Sequence, residues 1–140
     1  MPRDALKALH ELRRREVDRQ RLELADCRAV ETEAAGTVRS IDAAIARDRD
    51  SDAALADPML FRDIFLATRQ HLWAERQRAV VALAEAEARS EAARGRLAAA
   101  RLAAETVDRL ILERTAAARA EADRRAQHEL DDVAGRRRKY

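Results

Sequence analysis

The sequence predicts an all-α fold in which two long helices form an antiparallel coiled-coil hairpin. Charged residues make up 39% of the chain and aromatic residues only 3%. Alanine, leucine, arginine, glutamate and glutamine dominate, and this mixture of strong helix formers is typical of long helices and coiled coils. Apolar residues also recur at alternating intervals of three and four. Only two prolines, Pro2 and Pro58, interrupt the chain, which indicates one break between two helices.

The break is predicted at residues 49–57, where the chain is acidic and poor in helix formers. Helix one should therefore run from about residue 4 to 48, and helix two from about 58 to 134, within a single domain covering residues 1–140. Asp57 followed by Pro58 fits an N-cap with proline at the first helical position. Gly135 fits a C-cap at the end of helix two.

Each helix carries one seam, defined as the line of residues that faces the other helix. The seam of helix one is predicted to contain Val17, Gln20, Leu24, Cys27, Glu31, Ala34, Val38, Ile41, Ile45 and Asp48. The seam of helix two is predicted to contain Phe65, Leu72, Arg76, Ala79, Leu83, Ala86, Ser90, Ala93, Leu97, Ala100, Ala104, Val107 and Ile111. Steps of three and four along both lines predict a coiled-coil stripe.

A hairpin folded near residue 55 pairs positions whose numbers sum to about 110. This register places large residues against small ones and polar residues against polar ones, as close packing requires. The expected pairs are Val17 with Ala93, Gln20 with Ser90, Leu24 with Ala86, Cys27 with Leu83, Val38 with Leu72 and Ile45 with Phe65. A shift by one heptad stays open. Cys27, the only cysteine, is predicted to be a small buried apolar residue.

The unequal helix lengths leave a C-terminal segment, from about Asp108 to Ala134, without an intramolecular partner. This segment carries Leu110, Ile111, Leu112, Leu130 and Val133. A lone helix in water is marginally stable and gains most of its stability from packing. The segment therefore frays, docks into a partner, or pairs with a second copy of the chain.

The tip of the hairpin carries more apolar surface than one seam can bury. Phe61, Phe65 and Leu72 face the seam, while the remaining apolar residues fall on two other faces. One of these faces contains Leu60, Ile64, Ala67 and His71; the other contains Met59, Leu66, Trp73 and Val80. Either residues 50–57 fold back over this surface, or it is an interaction site.

Several function classes lack their residue patterns. The chain has no glycine-rich phosphate loop, CxxC or HExxH motif, and His10, His71 and His128 are far apart along two long helices. The 28 basic and 26 acidic residues are interspersed, apart from the basic tail Arg136–Lys139. No apolar run approaches a membrane span, and no secretory signal is recognisable. We therefore expect no enzymatic activity, cofactor, metal, nucleic acid or small-molecule ligand, and a cytoplasmic location.

The C-terminal segment resembles a known family. Residues Gln127-His128-Glu129-Leu130-Asp131-Asp132-Val133-Ala134 resemble the signature near the end of the flagellar export protein FliJ family, with Asp132 in place of the usual glutamate. Glu105, Leu110 and Arg114 resemble landmarks upstream of that signature. The length, the two long helices and the mid-chain break resemble the family over nearly the whole chain.

The resemblance implies a stalk and adaptor in the flagellar type III secretion apparatus, hence in flagellum biogenesis and chemotaxis. Family members insert their helix ends into the hexameric export ATPase, contact the export gate in the membrane, and assist export chaperones. We accordingly assign ATPase contacts to Leu110, Ile111, Arg114, Gln127, Glu129, Leu130, Asp131, Val133 and Ala134. We assign export-gate contacts to Leu60, Ile64, Ala67, His71 and Trp73. The resemblance places the protein at the inner face of the cell membrane.

Three alternatives stay open at this point. The equivalent stalk of a virulence secretion system, of the YscO type, shares the same plan. A general coiled-coil scaffold would form homodimers through the unpaired segment. A basic helix that binds nucleic acid or an anionic membrane surface is the third, and the mixed charge disfavours it.

Overall fold

The computed structural model describes residues 3–54, 59 and 62–139. Over these residues the chain forms two helices, α1 at Arg3–Ala54 and α2 at Arg62–Arg137, and contains no strand. At about 1.5 Å of rise per residue the helices are roughly 80 Å and 115 Å long. The two helices pack against each other and run antiparallel. The predicted fold class is therefore confirmed.

α1 ends later in the chain than predicted, whereas α2 begins at Arg62 rather than at about residue 58, with Met59 in a turn. α1 continues to Ala54, so residues 49–54 of the predicted tip are helical, because extending a helix costs far less than starting one. Asp48, expected to end the helix, instead accepts a hydrogen bond from Arg69 Nε at 3.1 Å. The predicted N-cap at Asp57 and Pro58 lies outside the described residues.

The predicted C-cap at Gly135 is wrong. α2 continues to Arg137, and no described glycine has a positive φ, so Gly135 does not adopt the left-handed conformation of a capping residue. The helix ends instead in a turn. The backbone N–H of Arg138 donates to the Ala134 carbonyl, and that of Lys139 donates to the Arg136 carbonyl, both at 3.3 Å.

The chain divides into two compact units. The first contains Met1–Asp18 and Ala99–Tyr140, and the second contains Arg19–Ala98. In the first unit the buried side chains among the described residues are those of Leu6, Val17, Ala100 and Val107. In the second unit they are those of Gln20, Leu24, Ala79, Ala86, Ser90, Ala93 and Leu97. Small alanine side chains supply much of the core of each unit, which allows the helix axes to approach closely.

Both predicted seams are confirmed. Every residue assigned to them is buried or half-buried, from Val17 to Asp48 in α1 and from Phe65 to Ile111 in α2. The seam of α1 also extends further than predicted, because Leu6 is buried and His10 is half-buried. These two residues continue the same spacing of three and four, and only Arg13, which is exposed, interrupts the line before Val17.

The predicted register is wrong by one heptad. In the second unit, ion pairs join Glu23 to Arg96, Asp42 to Arg76 and Asp48 to Arg69. In the first unit, His10 pairs with Asp108. The paired positions sum to between 117 and 119, so each of these α1 residues pairs with a residue seven to nine positions further along α2 than a sum of 110 would give. These four ion pairs favour the observed register, in which Glu23 lies near Arg96, whereas a sum of 110 would place Glu23 against Glu87.

The register shift changes the surroundings of two predicted seam residues. Ser90 is buried, but its Oγ makes no hydrogen bond to any described residue, so the expected polar pair with Gln20 is absent. Cys27 is half-buried rather than buried, and it lines a small cleft with Ala86 and Arg89 instead of facing Leu83.

Candidate protein-binding surfaces

The C-terminal part of α2 is exposed to solvent, and beyond Ala118, which lines a groove beside the end of α1, no described helix packs against it. All side chains of residues 112–139 are exposed, and we call this segment the overhang. Its large apolar residues Leu112, Leu130 and Val133 are 70%, 64% and 52% exposed. The predicted unpaired segment therefore exists, but it begins four residues later than expected, because Val107 is buried and Asp108 and Ile111 are half-buried.

The overhang keeps its helix through local interactions. Alanine is abundant in it, and alanine has the highest helix propensity. Glu121 forms ion pairs with Arg124 and Arg125 at 3.1 and 3.2 Å. Gln127 Nε2 donates to Asp131 Oδ1 at 3.2 Å. Pairs at these spacings each contribute a few tenths of a kcal/mol, so local interactions rather than a hydrophobic core stabilise the overhang helix.

The nine residues assigned to ATPase binding fall into two groups. Leu110 and Ile111 lie just before the overhang and Arg114 within its first turn, whereas the residues from Gln127 to Ala134 lie near its end. About 20 Å of helix separates the two groups at the usual rise per residue. In the second group Leu130, Val133 and Ala134 share one exposed face, because steps of three and four keep side chains together. Glu129 and Asp131 lie on either side of that face.

A groove forms where the N-terminal end of α1 lies on α2 in the first unit. It has a volume of about 350 Å³, and we call it the terminal groove. Its lining residues come from both helices: Asp4, Leu6, Lys7, His10, Ile111, Arg114, Thr115 and Ala118. Two of these lining residues, Ile111 and Arg114, are among those predicted to contact the ATPase. The structure places both at a concave surface. Most ligand sites are concave and largely apolar.

Sequence reasoning missed the α1 side of the terminal groove. His10 Nδ1 lies 2.8 Å from Asp108 Oδ1, and this contact fixes the end of α1 against α2. Leu6, one turn earlier in α1, is buried. The signal was present, because Leu6, His10 and Val17 follow seam spacing, but a search for apolar residues alone stops at the polar His10 and Arg13.

The residues assigned to the export gate do not share one surface. Ile64, Ala67 and His71 are exposed on one face of α2, which we call the tip face. Trp73 lies about 180° around the helix from Ile64 at roughly 100° per residue. Leu60, the fifth assigned residue, and Phe61 lie outside the described residues. The tip face therefore contains three of the five residues.

Trp73 is held by contacts within the second unit. The guanidinium carbon of Arg76 lies 5.8 Å from the centre of the Trp73 ring, a cation–π distance. Arg76 Nε in turn donates to Asp42 Oδ1 of α1 at 2.7 Å. One side of the indole is thus engaged, although 49% of Trp73 is exposed. Trp73 fits a residue that stabilises the helix pair better than one reserved for a partner.

The described residues contain no metal-binding cluster and no membrane-spanning helix. Among the described residues, no three histidine, cysteine, aspartate or glutamate side chains come close enough together to hold a metal ion. Neither described helix contains a stretch long and apolar enough to cross a bilayer.

In comparisons with known proteins, no family model, no curated protein and no solved structure matches the chain.

Proposed function

We propose that this protein is a non-catalytic stalk and adaptor of the flagellar type III export apparatus, which binds the hexameric export ATPase through its helix ends and the export gate through its tip. The observation that supports this role best is the overhang. It exposes Leu112, Leu130 and Val133, and beyond Ala118 no other described element packs against it. Exposed apolar side chains grouped on one helix face favour docking into a partner.

The proposal gives the overhang and the terminal groove one shared partner. Leu130 and Val133 would insert into apolar pockets of the ATPase ring, with the surrounding charged residues forming the polar rim of the contact. The terminal groove, which both helix ends build, would add a second contact through Ile111 and Arg114. This division fits the resemblance, in which paired N- and C-terminal helix ends enter the ring.

The mechanism is binding without a covalent step. Insertion of one asymmetric helix into a six-fold ring distinguishes the six subunits, so binding energy can favour ring assembly and coordinate successive sites. The tip face, with Ile64 66% exposed, would contact the export gate. In this role the protein works in the cytoplasm at the inner face of the membrane, and export chaperones are further partners.

Replacement of both overhang anchors by aspartate tests the proposal. Leu130→Asp with Val133→Asp is expected to abolish stimulation of ATP hydrolysis by the purified export ATPase, because charged side chains cannot enter apolar pockets without a large desolvation cost. Helix content should stay unchanged by circular dichroism, since both residues are exposed. Stimulation equal to that of the unmodified protein would contradict the proposal.

The chain offers a matched control for this experiment. Leu102 and Val81 are 66% and 49% exposed, close to the 64% and 52% of Leu130 and Val133, but they lie where α2 is packed against α1. Leu102→Asp with Val81→Asp should leave stimulation intact. If both double variants lost stimulation of ATP hydrolysis equally, the loss would not depend on the position of the acidic residues. That outcome would contradict a specific role for the overhang. Running both with a flagellar and a virulence secretion ATPase separates the two secretion systems.

A further inference from the structure

One face of the overhang has a sequence that reads the same in both directions except that the two central charges exchange sign. Along the helix, steps of four, three, four, three and four residues connect six exposed side chains. These six residues, which we call the palindromic stripe, are Leu112, Ala116, Arg119, Asp123, Ala126 and Leu130. From either end the order is leucine, alanine, a charge, the opposite charge, alanine and leucine. The spacing is that of a coiled-coil seam.

The palindromic stripe is unused within the described part of the chain. Leu112 and Leu130 are 70% and 64% exposed. Arg119 and Asp123 form no ion pair with any described residue. The nearby ion pairs of Glu121 with Arg124 and Arg125 lie on the far side of the helix, because residue 121 is about 180° from residue 112. The stripe therefore has both apolar and charged groups available for a second molecule.

We propose that the palindromic stripe binds the same stripe of a second copy of this chain, antiparallel, about a two-fold axis near residue 121. In this arrangement Leu112 faces Leu130 of the other copy, and Ala116 faces Ala126. Arg119 faces Asp123. Each contact occurs twice, as in any isologous interface, where one surface patch complements itself.

Charge selects this register over its neighbours. A parallel pair in register would place Arg119 against Arg119 and Asp123 against Asp123, which repel. An antiparallel pair shifted by one heptad would place Arg119 against Leu130 and Asp123 against Ala126. Polar residues within a seam commonly fix the register and orientation of a coiled coil in this way. Only the antiparallel register centred near residue 121 pairs Arg119 with Asp123 and Leu112 with Leu130.

The flanking residues extend the same complementarity. Glu105 and Arg137 lie on the same helix line as the stripe, and both are exposed. In the proposed register Glu105 of one copy faces Arg137 of the other. The contact area between the two copies is nevertheless small, because two of the residue pairs along the stripe consist only of alanine. An interface of this size is weak, so the dimer should form reversibly at about micromolar concentration.

Self-association would regulate the proposed function, and this consequence rests on that function. Leu130 belongs both to the palindromic stripe and to the anchors proposed for the ATPase. A copy paired with itself therefore cannot present Leu130 to the ring, so dimerisation and ATPase binding should compete. The dimer itself is argued from the stripe alone and does not depend on the identity of any other partner.

Charge reversal on the full-length chain tests the dimer. Sedimentation of the unmodified protein should show a monomer that becomes a dimer as concentration rises. Arg119→Asp places aspartate against aspartate twice, and Asp123→Arg places arginine against arginine twice. Each single variant should dimerise about tenfold or more weakly. The double variant Arg119→Asp with Asp123→Arg should dimerise as the unmodified protein does, because its charges are complementary again.

Mixing the two single variants gives the sharpest outcome. One carries two aspartates and the other two arginines, so each heterodimer has two opposite-charge contacts and should form when neither variant dimerises alone. Circular dichroism checks that all variants stay helical. A monomer at every concentration, dimerisation of the single variants at unmodified strength, or a mixture without heterodimers would each overturn the proposal. None of these outcomes depends on ATPase stimulation, which is measured separately.

Cross-linking establishes the orientation. In a Cys27→Ser background, Ala116→Cys and Ala126→Cys should form a disulfide when mixed, since the two positions face each other within disulfide reach. Neither variant should cross-link to itself, because like positions lie about 15 Å apart along the helix. Self-cross-linking of each variant without mixed product would indicate parallel pairing and overturn the antiparallel register.

Discussion

The second unit and the overhang are built from the same residue types, yet the second unit buries its apolar side chains and the overhang exposes them. In the second unit Ala93 is 0% exposed and Leu24 is 7% exposed. In the overhang every side chain is exposed, although alanine and leucine recur there at coiled-coil spacing. The spacing of apolar residues therefore identifies a helix face suited to contact. Whether that face is buried depends on the presence of a partner helix.

The largest expected effect comes from a charge placed at the most buried seam position. Ala93→Glu should lower the free energy of unfolding by about 3 kcal/mol or more, since the carboxylate would be forced against α1 without a partner. Ala117→Glu in the overhang, where the side chain is exposed, should change it by less than about 0.5 kcal/mol. Urea unfolding followed by circular dichroism measures both, and equal losses would contradict the comparison.

An intermediate effect is expected for ion pairs. The Asp48 side chain is 11% exposed and lies 3.1 Å from Arg69 Nε, so Asp48→Asn should destabilise the second unit by about 1 kcal/mol. Glu121 in the overhang is 48% exposed beside Arg124 and Arg125. Glu121→Gln should cost only about 0.3 kcal/mol, because water screens that contact. Thermal unfolding of both variants in low and high salt checks the difference, and a larger loss for Glu121→Gln would reverse the interpretation.

The smallest effect is a gain in stability. A Cβ added at Gly95 meets no atom within 4 Å, so Gly95→Ala should stabilise the second unit by about 0.5–1 kcal/mol through higher helix propensity. Gly135 is equally uncrowded, but it lies near the end of α2, where helices fray. Gly135→Ala should therefore add less. Hydrogen exchange of neighbouring amides measures each locally, and destabilisation by Gly95→Ala would reveal a contact that the structure lacks.

The sequence was sufficient to predict the seams but not their register. Steps of three and four identify which side of a helix is apolar, and all predicted seam residues are buried or half-buried. Register depends on what each residue faces. Ala86, Ala93 and Ala100 repeat every seven residues, so sliding α2 by one heptad replaces one alanine with another and changes packing little. The pairs of Glu23 with Arg96 and Asp42 with Arg76 resolve the ambiguity, and a count of charges across the seam would have found them.

The candidate surfaces were predicted less completely than the fold. Exposure of Leu130 and Val133 followed from unequal helix lengths, which the sequence shows directly. The terminal groove could not be predicted from the helix lengths, because it depends on the observed register. That register places Leu6 beside the same groove as Ile111, and His10 against Asp108. The contact of Trp73 with Arg76 was not predicted either, since it depends on the hydrogen bond that Arg76 donates to Asp42 of α1.

The strict seven-residue repeat of Ala79, Ala86 and Ala93 in the second unit has a mechanical consequence. A straight helix completes a turn in about 3.6 residues, so a line of every seventh residue drifts slowly around it. To keep such a line against its neighbour, each helix must coil left-handedly around the other. The pair is therefore chiral in its response to torque: rotation in one sense tightens the winding, and rotation in the other loosens it.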